Sequence, residues 1–127
     1  MTPEEQETLT RVGPGTPMGE LLRHYWFPVT ASSELAAGTA RAIRLLGEDL
    51  VLFRRPDGQL GLVEERCSHR GSSLRCGIVD DEGIACPYHG WKFGPDGACL
   101  SMPAEPYHPK LLERARKAPE PEGSARE

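Results

Sequence analysis

The chain has 127 residues, 38% of them hydrophobic and 27% charged, enough for one soluble globular domain and too few for two full-sized ones. Its net charge of -4 offers no basic surplus for a nucleic-acid partner, and no apolar run approaches the roughly 18 residues needed to span a membrane. Met1-Thr2-Pro3-Glu4-Glu5 is acidic and lacks the apolar core of a secretory signal, so the expected setting is cytoplasmic, with no membrane and no nucleic acid as partner.

Residues 1–30 form an expected helical and loop-rich N-terminal extension. Thr16 is placed to cap a helix with Pro17 at its first position. Met18, Leu21, Leu22 and Tyr25 follow at roughly helical spacing, and Pro28 is the expected stop. From about residue 40 the period becomes strand-like. Ile43 and Leu45, then Leu50 and Leu52, alternate with other residues across a turn expected at Gly47-Glu48-Asp49. Pro56-Asp57-Gly58 and Pro95-Asp96-Gly97 are hairpin turns, because Pro presets one turn torsion and Gly accepts a positive φ at another. Short runs at 60–63, 83–85, 91–93 and 98–102 complete a set of small antiparallel strands. No helix of any length fits between residues 40 and 102. The fold class is therefore mainly β, a small antiparallel sandwich over residues 31–109 behind a short helical segment. From Lys110 the chain turns rich in Pro, Glu, Gly and Ser, and 110–127 is expected to be a disordered or truncated tail.

The four cysteines, Cys67, Cys76, Cys86 and Cys99, are unevenly spaced. In a reducing compartment such thiols are metal ligands or plain thiols before they are disulfides. Two segments stand out, Cys67-Ser68-His69-Arg70-Gly71 and Cys86-Pro87-Tyr88-His89-Gly90-Trp91, each with one Cys and one His. A Rieske-type [2Fe–2S] cluster has one iron held by two thiolates and the other by two imidazoles. If each loop reaches across both irons, each must offer one ligand of each kind. Cys67 and Cys86 then hold the inner iron, and His69 and His89 the outer one. The glycines that follow the histidines let the backbone turn tightly and bring amide N–H groups towards the cluster sulfurs. Neutral imidazoles in place of two thiolates make the centre less negative. This raises its potential towards the Rieske range of about -150 to +300 mV, against about -400 mV for plant-type ferredoxins. The histidines also link reduction to protonation. A Cys2His2 zinc site uses the same ligand types but usually pairs Cys with Cys and His with His on separate arms; a zinc-stabilised structural module is the alternative on these residues.

With those residues in view, the chain resembles the N-terminal domain of the Rieske non-haem iron oxygenases. The match is to Cys67-Ser-His-Arg-Gly and Cys86-Pro-Tyr-His-Gly-Trp-Lys-Phe. The opening from Leu9 to Arg23 and the stretch Arg44-Leu-Leu-Gly-Glu-Asp-Leu are similar to the oxygenase subunit of phthalate 4,5-dioxygenase and its aromatic-ring-hydroxylating relatives. The likeness runs from about residue 8 to about residue 107. It implies electron transfer from a ferredoxin or a flavin/iron-sulfur reductase to the cluster. From there the electron passes to a mononuclear iron oxygenase domain in a neighbouring subunit of a ring-shaped oligomer. Respiratory Rieske proteins carry an extra cysteine in each loop; Ser72 and Tyr88 stand in those places here, which favours the oxygenase type.

The family's catalytic iron needs two histidines and a carboxylate. Outside the two loops the chain has only His24 and His108, and Glu105-Pro106-Tyr107-His108 has the character of a surface loop. The chain alone is therefore expected not to activate oxygen, and to be a fragment or a truncated product of an oxygenase subunit. A stand-alone Rieske ferredoxin and a non-functional remnant are the other readings. Trp91 is expected to pack under the second loop and shield the cluster, with His24 as an aromatic packing residue. Arg70 and Lys92 are expected to be solvated charges beside the loops, and Cys76 and Cys99 buried or half-buried thiols.

Overall fold

The computed structural model describes residues 1–103. The expected tail at 110–127 and the Glu105 to His108 segment lie outside them. Helix α1 (Pro3–Thr10) is held by a capping box: the Thr2 hydroxyl accepts from the Glu5 N–H at 3.2 Å, and the Glu5 carboxylate accepts from the Thr2 N–H at 2.7 Å. Helix α2 (Pro17–Leu22) starts where the sequence places it, with the Thr16 hydroxyl accepting from the Gly19 N–H at 3.1 Å.

It ends at Leu22, well before Pro28. Beyond it the N–H groups of His24 and Tyr25 tighten onto the carbonyls of Leu21 and Leu22. The Arg23 guanidinium turns back to the carbonyls of Val12 at 3.1 Å and Leu46 at 3.2 Å, and to Glu48 at 2.9 Å. That residue ties the N-terminal extension to the β region. Tyr25, assigned above to the apolar helical face, is 65% exposed, and His24 is exposed rather than packed.

Two antiparallel sheets follow. The first has the order β1 (Ala40–Leu45), β2 (Glu48–Arg54), β3 (Leu60–Glu64). The β1–β2 turn is Leu46-Gly47, with Leu45 paired to Glu48, so Glu48 and Asp49 belong to β2 rather than to the turn. Both turn residues have positive φ, 48° and 77°, because a two-residue connection of this hand matches the strand twist. The Pro56-Asp57-Gly58 turn forms as expected, the Gly58 N–H donating to the Arg55 carbonyl at 2.9 Å.

The second sheet has the order β4 (Ile78–Val79), β5 (Ile84–Ala85), β6 (Lys92–Phe93), β7 (Cys99–Ser101). Pro95-Asp96-Gly97 joins its last two strands, with the Gly97 N–H on the Gly94 carbonyl at 2.9 Å. Strand β4 and the 3-10 turns Ser32–Glu34 and Leu74–Cys76 carry no sequence signal of their own and are additions to the expected elements.

β2 is buried on both faces, so its apolar residues divide by parity. Val51 and Phe53 join Val63, Leu74, Ile84, Trp91 and Phe93 in the main core, and Cys67 and Cys86 are part of the same cluster. Leu50 and Leu52, singled out by alternation, instead form a second cluster with Leu35 and Leu62. The site below grows out of the main core. No helix among the described residues is long and apolar enough to cross a membrane.

Candidate metal centre

Two hairpin tips of equal length carry the Cys and His residues. The bridge Arg66↔Ser73 closes residues 67–72, and the β5–β6 pair Ala85↔Lys92 closes residues 86–91. Inside each, the same two hydrogen bonds recur. The Cys67 N–H donates to the Ser72 carbonyl at 2.8 Å, and the Cys86 N–H to the Trp91 carbonyl at 2.8 Å. The Gly71 N–H returns to the Cys67 carbonyl at 2.8 Å, and the Gly90 N–H to the Cys86 carbonyl at 3.0 Å. Gly71 and Gly90 adopt φ of 75° and 77°, a region where a Cβ is strained. The shared spacing therefore runs from Cys to Gly. The histidines break it, His69 sitting two residues after its cysteine and His89 three after.

All four residues come together at the end of the core. Cys67 and Cys86 are 4% and 3% exposed and lie within hydrogen-bonding reach of each other. The His69 and His89 rings meet edge to face with centroids 4.6 Å apart. Burial pushes the Cys86 thiol up, but the backbone N–H groups of Tyr88 and His89, with the side chains of Cys67 and Ser72, outweigh it and hold the thiol below its ordinary value. The thiol therefore loses its proton more readily than an ordinary cysteine, which suits a metal ligand. Thiol and imidazole donors together suit soft and borderline transition metals. Among the described residues, no three His, Cys, Asp or Glu side chains close on a single point as the ligands of one ion do; the donors stand as a thiol pair and an imidazole pair.

The neighbours are less symmetric than the loops. Trp91 is 3% exposed and reaches across to the first loop, stacking on His69 with centroids 4.5 Å apart and planes 8° from parallel. Tyr88, 66% exposed, lies against His89 at 3.9 Å. Lys92 is not a free solvated charge. It donates to Asp80 at 2.6 Å and Glu82 at 3.3 Å, strapping the β4–β5 connection to the base of the second loop. Its hydrogen bond to Asp80 leads in raising it above its ordinary value, and the same bond leads in holding the Asp80 carboxyl below its own. Arg70 is exposed; Cys76 is exposed and Cys99 half-buried. Ser72 and Tyr88, noted above only as standing where respiratory Rieske proteins carry cysteines, lie beside the Cys86 thiol and against the His89 ring.

The antiparallel sheets and the two cysteine–histidine hairpin tips define the class: the chain belongs to the Rieske [2Fe-2S] domain family, whose model matches residues 25–112. That family implies a [2Fe–2S] cluster. The chain is 48% identical over 105 residues to the oxygenase subunit of 5,5'-dehydrodivanillate O-demethylase from Sphingobium sp. (strain NBRC 103272 / SYK-6), covering 83% of this chain and 25% of that one. It is 41% identical over 118 residues to the phthalate 4,5-dioxygenase oxygenase subunit of Pseudomonas putida, covering 91% of this chain and 27% of that one. Among solved structures, Pseudomonas putida CBB5 NdmA superposes with a TM-score of 0.66 at 34% identity, over 78% of this chain and 31% of that one. The chain spans about a quarter of the length of these curated relatives.

Proposed function

We propose that the chain holds one Rieske [2Fe–2S] cluster, Cys67 and Cys86 on one iron and His69 and His89 on the other, and passes single electrons. The observation that carries this is the pair of equally closed hairpin tips that sets two buried thiols beside each other and two imidazoles 4.6 Å apart. The donor set fits such a group in number and kind. When bound, the cluster takes up and gives up one electron at a time. The Tyr88 and His89 amides would stabilise the thiolate form of Cys86 as a ligand, and the Phe53 and Phe93 core packs behind the thiols. His69 and His89, neutral ligands, keep the centre less negative than four thiolates would.

The similarity to oxygenase subunits and the quarter-length coverage support a place as the N-terminal part of an aromatic-ring-hydroxylating oxygenase. In that arrangement a ferredoxin or flavin/iron-sulfur reductase is the donor and a mononuclear iron oxygenase domain the acceptor. The setting would be cytoplasmic, with oxygen chemistry left to the acceptor. Anaerobic loading with iron and sulfide tests the assignment. The expected result is two irons and two sulfides per chain and a rhombic EPR signal on reduction, lost or altered in His69→Ala and His89→Ala. A four-thiolate spectrum, zinc alone, or histidine variants that keep the parent spectrum refutes it.

A further inference from the structure

Trp91 combines two features that packing does not account for. Its indole Nε1 is buried without a hydrogen-bond partner, and a buried donor left unsatisfied is destabilising. Its position is also fixed from both loops at once. The Trp91 carbonyl takes the Cys86 N–H at 2.8 Å in the second loop, while the ring lies flat on His69 of the first. The indole therefore lies on His69 while belonging to the same buried cluster as both thiols.

We propose that the Trp91 indole N–H, which finds no acceptor among the protein's own atoms, donates a hydrogen bond to an inorganic sulfur of the cluster, making Trp91 a tuning and positioning residue of the centre. The inference rests on the cluster assignment above. Hydrogen bonds to the sulfurs raise the potential of an iron–sulfur centre, because reduction adds negative charge that the donor stabilises. The stack serves the same end by holding the indole at one rotation relative to His69.

The test is Trp91→Phe in the loaded full chain, which keeps an aromatic ring on His69 and removes the N–H. The expected result is a retained rhombic EPR signal with a lower reduction potential. An approximately tenfold fall in the reduction equilibrium corresponds to about 59 mV for one electron. An unchanged potential with the signal retained overturns the proposal. A second measurement does not depend on a variant that loads. The parent chain, labelled with 15N at its tryptophan indoles, should show hyperfine coupling of an indole nitrogen to the reduced cluster. The other tryptophan, Trp26, is 61% exposed and outside the loops, so the coupling reports Trp91. Absence of coupling overturns the proposal while leaving the cluster assignment intact. A parent chain that gives no Rieske signal overturns both.

Discussion

Replacing Gly90 by alanine tests why the second loop closes as it does. A Cβ built on Gly90 meets nothing nearer than Pro103 Cγ at 3.6 Å, so space is not the constraint. The φ of 77° is. A side chain in that region costs about 1–2 kcal/mol, and the stiffer unfolded chain of alanine returns about 0.4–1 kcal/mol of it. The expected net loss is about 1 kcal/mol. Gly71, at φ 75° with nothing within 4 Å of its Cβ, should behave alike. Gly61 is a contrasting case. Its added Cβ would lie 2.3 Å from the Phe53 ring and 2.8 Å from the Pro95 backbone, a clash within the packed interior. Overpacking of this kind costs about 1–3 kcal/mol, and two rigid neighbours place Gly61→Ala at the top of that range. Thermal melts of the three variants should show Gly71→Ala and Gly90→Ala falling together by about 4–8 °C, and Gly61→Ala falling two to three times as far. A Gly90→Ala chain that melts with the parent, or a Gly61→Ala chain milder than either loop variant, refutes the reasoning.

Three further outcomes follow from the same geometry. Arg23→Met should cost about 2–3 kcal/mol in urea denaturation, because it leaves the Glu48 carboxylate and two carbonyls without a largely buried charged donor. A loss under about 0.5 kcal/mol, the usual size of a surface substitution, contradicts that role. Leu46→Asn should stabilise by about 1 kcal/mol, since Leu46 holds φ 48° in a turn that prefers Asn-Gly; an unchanged or lower midpoint contradicts it. Lys92→Met should narrow the pH range of stability. Asp80 is depressed, so its share is present above about pH 4 and is lost as pH falls through its lowered value. Lys92 is raised, so its share is present below about pH 10 and is lost as pH rises through its raised value. The gap between parent and variant should be open at pH 7 and shrink as the medium is acidified below about pH 4. A gap of constant size across that interval counts against the strap.

Local chemistry was legible wherever a residue type has a single strong conformational use. Thr16-Pro17 and both Pro-Asp-Gly turns form where expected, since capping and turn torsions are decided within a few residues. The β1–β2 turn is displaced towards the N-terminus because a two-residue connection puts Leu46 itself at positive φ, against its own preference, to satisfy strand twist. Tertiary contacts decide the rest. α2 ends at Leu22, and the Arg23 side chain just beyond it is bonded to the Val12 and Leu46 carbonyls, contacts that no helical period reports. β4 is two residues long and exists through its pairing with β5, so it has no pattern to show. Alternation singled out Leu50 and Leu52, yet the main core takes Val51 and Phe53, because a strand covered on both sides carries no polar face. The four candidate ligands were nominated from their types and order, and the structure sets them as a thiol pair and an imidazole pair. The equal closure of the two tips, the Trp91 stack on His69 and the Lys92 strap became visible only in three dimensions.

Cys67 and Cys86 are interior atoms of the same buried cluster as Phe53, Leu74 and Phe93. A cluster held by their sulfurs would have its cysteine side within the domain's cooperative unit, with the half-buried His69 and His89 on its outer side. A chelator would reach that cysteine side only when the hairpin tips part. Bleaching on such treatment should keep pace with amide exchange at Cys67 and Cys86, whatever the chelator concentration.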